Sequence, residues 1–182
     1  MHPDCERVLI SEKEIQAKVA ELGRCISNDY AGKELLMIGV LKGAAIFLAD
    51  LVREIAVPTQ YDFMALSSYG SAAKSSGRVR ILKDLACEAR GRHIIIVEDI
   101  VDTGLTMNFL AENLSSRDPA SVKICTLLDK PSRRIKPVKI DYKGFVIPDK
   151  FVVGYGLDYG DRYRNIPCIM VLSPKIYTNK GE

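Results

Sequence analysis

The chain has 182 residues, 47% of them hydrophobic, with only 13 Gly and 8 Pro, which supplies one well-buried α/β-sized core and excludes a chain disordered through most of its length. A formal charge of +3 is small for this length and demands neither a nucleic-acid nor a membrane partner. Cys5, Cys25, Cys87, Cys125 and Cys168 stand singly without CxxC pairs, and neither His2 nor His93 belongs to a metal or triad cluster, so a zinc enzyme and a serine or cysteine hydrolase are set aside.

The N-terminal stretch MHPDCERVLISEKE is charged and broken by Pro3, which fits neither an export signal nor a membrane span, and a cytoplasmic location is expected. Ser11 and Glu14 have capping-box spacing, and Ile15, Val19, Leu22 and Ile26 follow at helical spacing, with Gly32 placed to stop the helix. ELLMIGV, Glu34 to Val40, predicts a buried strand, and GAAIFLADLVREI, from Gly43, a helix that ends before Pro58. TQYDFMAL predicts a further strand. SSYGSAAKSSGRV, Ser67 to Val79, is rich in Ser, Gly and Ala with little to bury, and its centre is expected to be a mobile loop. RVRIL predicts a strand on the far side, HIIIVEDI the strongest strand of the chain, TGLTMNFLAENL a helix and SVKICTLLD another strand. The last third carries short β-rich runs separated by Pro, Gly and Asp, which finish the sheet and add a hood. Strands alternating with helices imply an α/β fold, a twisted, mainly parallel sheet with helices on both faces and a ligand site at the carboxyl ends of the strands. With no internal repeat or linker, one domain is expected, its hood drawn from the N-terminal segment and residues from about 130 onward, and a lid at about 67–78.

Chemistry concentrates in VEDIVDTGLT, Val97 to Thr106. Thr103, Gly104, Leu105 and Thr106 stand at a strand-to-helix turn, where unpaired backbone N–H groups, the helix dipole and two hydroxyls favour a single phosphate. The pattern GxxxxGK[ST] is absent, and the acids Glu98, Asp99 and Asp102 repel a polyphosphate laid along them. Carboxylates accept hydrogen bonds from sugar hydroxyls and coordinate hard cations, so Glu98 and Asp99 suit a ribose whose hydroxyls also approach magnesium. Asp102 alone reads as a helix cap, and DTG alone occurs by chance and in aspartic proteases, whose loop does not lead from a buried parallel strand into an amphipathic helix. A cap leaves Glu98 and Asp99 unexplained at the end of a buried β-run, and phosphate beside ribose makes a phosphosugar site.

The same run resembles the phosphoribosyl pyrophosphate motif of the type I phosphoribosyltransferases, and the resemblance extends to LKGA at Leu41, SSYG at Ser67, LLDKPSRR at Leu127 and KFVVGYGLDYGDRYRN at Lys150, the last two pointing to the six-oxopurine branch. The resemblance implies the type I phosphoribosyltransferase fold. It also implies that Glu98 and Asp99 hold the ribose hydroxyls, that Asp102 to Thr106 wrap the 5′-phosphate, and that Asp102 takes or shares the proton of the purine's imidazole nitrogen. Leu105 stands where some members carry lysine and contributes through its backbone N–H. Leu41, Lys42 and Gly43 match a pyrophosphate loop that often has a non-proline cis peptide before the lysine, and Arg164 matches a further pyrophosphate contact. Ser68 and Tyr69 match the catalytic lid. Lys130 is implied to donate to the purine's six-oxo group, Phe151 to stack on the base, the Val152 backbone to meet its far edge, and Asp158 to lie near the base and a second magnesium, making Glu98, Asp99 and Asp158 the metal set. On sequence alone Phe151 reads as core. Arg133 and Arg134 read as a solvated basic pair.

The implied activity is magnesium-dependent purine salvage from phosphoribosyl pyrophosphate and hypoxanthine or guanine, with no nucleic-acid or membrane partner and a homodimer or homotetramer as the assembly. The neighbourhood of Phe47, Leu51 and Tyr69 reads as an interface, core or lid. A nucleic-acid-binding sensor of phosphoribosyl pyrophosphate, and a transferase acting on another base, are the alternatives. The modest charge excess speaks against the first, and Lys130 with the Phe151 to Asp158 region against the second.

Overall fold

The structure is a computed structural model that describes residues 2–69 and 78–178. The centre of the expected mobile loop, residues 70–77, lies outside the described residues.

Strand β1 (Cys5–Ile10) opens the chain where the sequence reading placed no element. Its exposed Glu6 and Arg7 and two register shifts against its partner erase the alternation that marks a strand. Helix α1 (Glu12–Asp29) begins as the spacing predicts: Ser11 Oγ accepts from the Glu14 N–H at 3.3 Å and the Glu14 carboxylate accepts from the Ser11 N–H at 2.8 Å. The chain then leaves through Gly32 at φ +74°, a left-handed conformation that glycine adopts without penalty.

The next elements are β2 (Leu35–Leu41), α2 (Ala45–Arg53), β3 (Thr59–Tyr69), β4 (Arg78–Lys83), β5 (His93–Val101), α3 (Leu105–Ser115), β6 (Ser121–Asp129) and β7 (Tyr142–Val146). Six strands form one sheet in the order β4-β3-β2-β5-β6-β7, parallel throughout except for the antiparallel β3–β4 pair. Alternate side chains sort between the faces. Leu35, Met37, Ile95 and Val97 pack with α1 and α2, whereas Leu36, Ile38, Ile94 and Ile96 pack with Met107, Leu110 and Leu114 of α3. Central strands buried on both faces must read as continuous apolar runs, which is why ELLMIGV and HIIIV are so uniform. Each such side chain contributes about 1.5–3 kcal/mol of burial. Phe47 and Leu51 are fully buried in this core, which removes them as interface residues.

A smaller antiparallel sheet, ordered β1-β9-β8, joins the N-terminal strand to β8 (Val152–Val153) and β9 (Ile169–Leu172) and is followed by the short helix α4 (Pro174–Thr178). All five cysteines are free thiols, with Cys5 and Cys125 buried. Among the described residues no helix is long and apolar enough to cross a membrane.

Candidate active site

The parallel strands end together, and β5 ends in acid. Asp99 is buried and its carboxylate accepts from the Ile100 N–H at 2.7 Å. Glu98 carries a buried oxygen, Oε2, with no hydrogen-bond partner. Burial first, then the neighbouring Asp99 and Asp102, pushes the Glu98 carboxyl well above its ordinary range. Burial also raises Asp99, against the pull of its hydrogen bonds and of Arg164. An unpartnered buried carboxylate oxygen beside a second acid is a donor set for a cation or for hydroxyl hydrogens.

The turn that follows is built for an anion. Asp102 accepts from the Thr103 N–H, Thr103 Oγ1 accepts from the Leu105 N–H at 3.4 Å, and Gly104 starts α3 at φ +81° without a side-chain cap. Apart from the Leu105 N–H, the first-turn N–H groups of α3 are left without a cap, with the helix dipole behind them. Glu98, Asp102, Thr103, Gly104 and Thr106 line one cavity of about 50 Å³. A larger cavity of about 420 Å³ opens beside Thr59 to Asp62, but its acid, Asp62, is occupied by Ala86 N, Phe63 N and Lys83. Size does not mark the chemistry here.

Two loops close on the acid strip from the other side. The Leu41–Lys42 peptide is cis, and a side chain on Gly43 would collide with the Asp99 carboxylate. A side chain on Gly156 would collide in turn with the Gly43 carbonyl. Lys42 Nζ reaches Asp161 at 3.0 Å. Arg164 donates to the Gly156 carbonyl at 2.6 Å and pairs with Asp158 at 2.8 Å and Asp161 at 3.1 Å, while its Nε is buried without a partner. Hydrogen bonds from Lys42 and then Arg164 hold the Asp161 carboxyl below its ordinary range. Asp158 is thus turned to Arg164 and to the Asp161 N–H, and among the described residues no three His, Cys, Asp or Glu side chains group around a metal position.

Across from these loops, Lys130 at the end of β6 is 7% exposed and donates to the Lys150 carbonyl at 2.7 Å. Burial lowers its pKa, opposed by Asp149. Phe151 is 38% exposed rather than core, and Val152 beside it is buried at the start of β8. Ser68 and Tyr69 end β3, opposite Val79 and Arg78 of β4.

Residues 10–160 match the family model described as phosphoribosyl transferase domain. The chain belongs to the phosphoribosyltransferase family. It is 54% identical over 180 residues to the hypoxanthine-guanine phosphoribosyltransferase of Mycobacterium tuberculosis (strain CDC 1551 / Oshkosh), covering 96% of this chain and 89% of that one. It is also 54% identical over 177 residues to the enzyme of that name from Bacillus subtilis (strain 168), with 97% and 98% covered. The crystal structure of a hypoxanthine phosphoribosyltransferase from Staphylococcus aureus superimposes with a TM-score of 0.95 at 46% identity, covering 98% and 97% of the two chains. Within the phosphoribosyltransferases the chain therefore stands with this enzyme type, and its fold is the type I fold.

The sequence reading missed how this phosphoribosyltransferase holds the turn after β5. Arg133 is 53% exposed, as a solvated residue should be, but Arg134 is only 17% exposed. Its Nε donates to the Asp102 carbonyl at 2.8 Å, and one terminal nitrogen donates to the Val101 carbonyl at 3.2 Å and pairs with the buried Asp129. The Ile135 and Lys136 N–H groups add bonds to the Thr103 carbonyl at 2.9 and 3.0 Å. Arg134 thus satisfies the Asp102 carbonyl and gives a second donor to the Val101 carbonyl, which also accepts from the Lys130 N–H at 2.9 Å. The sequence signal was Asp129 itself: an acid closing the apolar run of β6 needs a cation, and Arg134 and Lys143 supply two.

Proposed function

We propose that this phosphoribosyltransferase transfers the 5-phosphoribosyl group of phosphoribosyl pyrophosphate to hypoxanthine or guanine, yielding IMP or GMP and pyrophosphate, in a magnesium-dependent salvage reaction in the cytoplasm. The observation that carries it is the single cavity shared by Glu98, Asp102 and the Thr103 to Thr106 turn, with the Glu98 Oε2 lacking a partner.

In this reading Thr103, Gly104, Leu105 and Thr106 bind the 5′-phosphate, and Glu98 and Asp99 accept the ribose hydroxyls. The two acids also fit magnesium, which takes one or two carboxylates and completes its shell with substrate and water oxygens. Asp158 contributes near the base and the metal once Arg164 turns from it. When bound, magnesium offsets charge on the departing pyrophosphate. Lys42 and Arg164, now paired with Asp161, exchange it for pyrophosphate oxygens, with the Leu41 to Gly43 backbone alongside. The base approaches the opposite face of an oxocarbenium-like sugar, and Asp102 takes or shares the proton of its imidazole nitrogen. Lys130 donates to the six-oxo group, Phe151 stacks on the ring, and the Val152 backbone meets its far edge. Ser68 and Tyr69 cover the site and keep water from the electrophilic sugar.

The chain acts as one catalytic domain with the smaller sheet as a hood, and copies of it form a homodimer or homotetramer. Ile46 and Tyr61, 37% and 60% exposed, are apolar side chains free to serve that contact. Incubating the protein with phosphoribosyl pyrophosphate, one purine at a time, and with or without magnesium, then separating products by chromatography, tests the reading. Metal-dependent IMP and GMP are expected. Absence of nucleotide with every base, while phosphoribosyl pyrophosphate still binds, overturns it.

A further inference from the structure

Phe151 is held by aromatic neighbours before any base arrives. Tyr177 of α4 stacks on it with ring centroids 5.2 Å apart and an interplanar angle of 26°, and Tyr159 forms a T-shaped pair with it at 5.5 Å and 88°. The Phe151 carbonyl accepts from the Leu172 N–H at 2.9 Å, so the backbone under the ring is tied to the strand that leads into α4. An aromatic ring has two faces. Tyr177 covers one, yet Phe151 remains 38% exposed, while the Lys130 ammonium is pinned to the carbonyl of the residue just before it.

We infer that Tyr177 is a positioning residue for purine binding: it backs the covered face of Phe151 so that the open face is presented at a fixed angle, making a stack of base, Phe151 and Tyr177. This rests on the assignment of Phe151 to the base. Tyr177 itself touches neither substrate nor the reacting atoms. Its part is to remove freedom from a ring on a short, exposed segment, where an unbacked phenyl would sample other rotamers and spend binding free energy on being ordered. Ile176 and Tyr177 pack against an apolar cluster that includes Val153, Met170 and Leu172 of the smaller sheet, so α4 is seated on that sheet rather than on the six-stranded one. Loss of the ring should therefore leave the phosphoribosyl side untouched.

The test is steady-state kinetics of wild type, Tyr177→Ala, Tyr177→Leu, Tyr177→Phe, Phe151→Ala and the Phe151→Ala/Tyr177→Ala double variant, with hypoxanthine and phosphoribosyl pyrophosphate varied separately. Tyr177→Ala and Tyr177→Leu should raise the KM for hypoxanthine about threefold to tenfold, the range of an aromatic pair, with kcat and the KM for phosphoribosyl pyrophosphate near wild type. Tyr177→Phe should restore the wild-type value, and the double variant should be no worse than Phe151→Ala alone. Tyr177→Leu keeps the apolar volume and serves if the alanine variant does not fold. An unchanged hypoxanthine KM in the leucine variant overturns the inference, as does a lowered one, which would mean that Tyr177 lies over the face the base needs. If wild type forms no nucleotide, the fault lies with the assigned activity and not with the stack.

Discussion

The two sides of the site are built differently. The acid strip and the turn after it, Glu98 to Thr106, run without interruption from β5 into α3, and their shape is set by local rules of strand end, left-handed glycine and helix start. The side across from it is gathered from the end of β6, the start of β8 and the helix α4, and depends on contacts between distant segments such as Lys130 on Lys150 and Tyr177 on Phe151. A contiguous site stands or falls with its own residues. A gathered one is vulnerable at positions that carry no chemistry.

If the first side handles phosphoribosyl transfer and the second selects the base, damage should separate by substrate. Asp102→Asn keeps an acceptor for the Thr103 N–H but not the carboxylate, and should cut kcat about 10²–10⁴-fold with little change in either KM. Unchanged turnover at saturating substrates would sink the role given to Asp102. Arg134→Ala tests whether the separation is clean, because Arg134 follows Lys130 in sequence yet clamps the opposite side. Leaving Asp129 and two turn carbonyls without the guanidinium should cost roughly 3 kcal/mol in denaturant unfolding, and the KM for phosphoribosyl pyrophosphate should rise more than that for hypoxanthine. Arg134→Lys should recover only part of this, since the ammonium lacks the fork. A wild-type unfolding midpoint in the alanine variant would show that the clamp carries no weight.

Glu98→Gln removes a charge that its surroundings disfavour while keeping the shape. Affinity for phosphoribosyl pyrophosphate with magnesium should fall about tenfold, a loss of about 1.4 kcal/mol, whereas the ligand-free protein should melt higher than wild type. Calorimetric titration and a melting curve measure the two, and a variant that melts lower contradicts the assigned desolvation. The smallest effect belongs to Lys130→Met. Burial lowers the pKa of Lys130, so the folded chain releases this proton at lower pH than the unfolded chain does. Wild type should therefore gain stability relative to Lys130→Met as pH climbs from the lowered pKa to the ordinary 10.5, with the difference flat below that window. A difference that shrinks or stays level across the window would reverse the sign assigned to burial.

The same contrast explains what was legible in the sequence. Parallel strands buried on both faces announce themselves as apolar runs, so β2, β5 and β6 and the helices between them were readable, and Glu98 and Asp99 stood out because acid at the end of such a run has no structural reason. β1 was not readable, because its bulges and exposed Glu6 and Arg7 leave no period. Nor was α4, a five-residue helix too short to show one. Arg134 looked like its solvated neighbour Arg133, and only the fold shows which of the two turns inward. Phe151 looked like core, because composition cannot tell a buried ring from one that stays 38% exposed against a stacked neighbour.

Gly43 and Gly156 carry no functional group, yet Asp99 and the Gly43 carbonyl leave no room for a side chain at either position. The backbones of two loops meet there, one of them against the Asp99 carboxylate of β5. In a survey of all single substitutions, these two glycines should therefore tolerate replacement as poorly as the acids they adjoin. A map of intolerant positions would trace the outline of the site partly through residues that have no side chain.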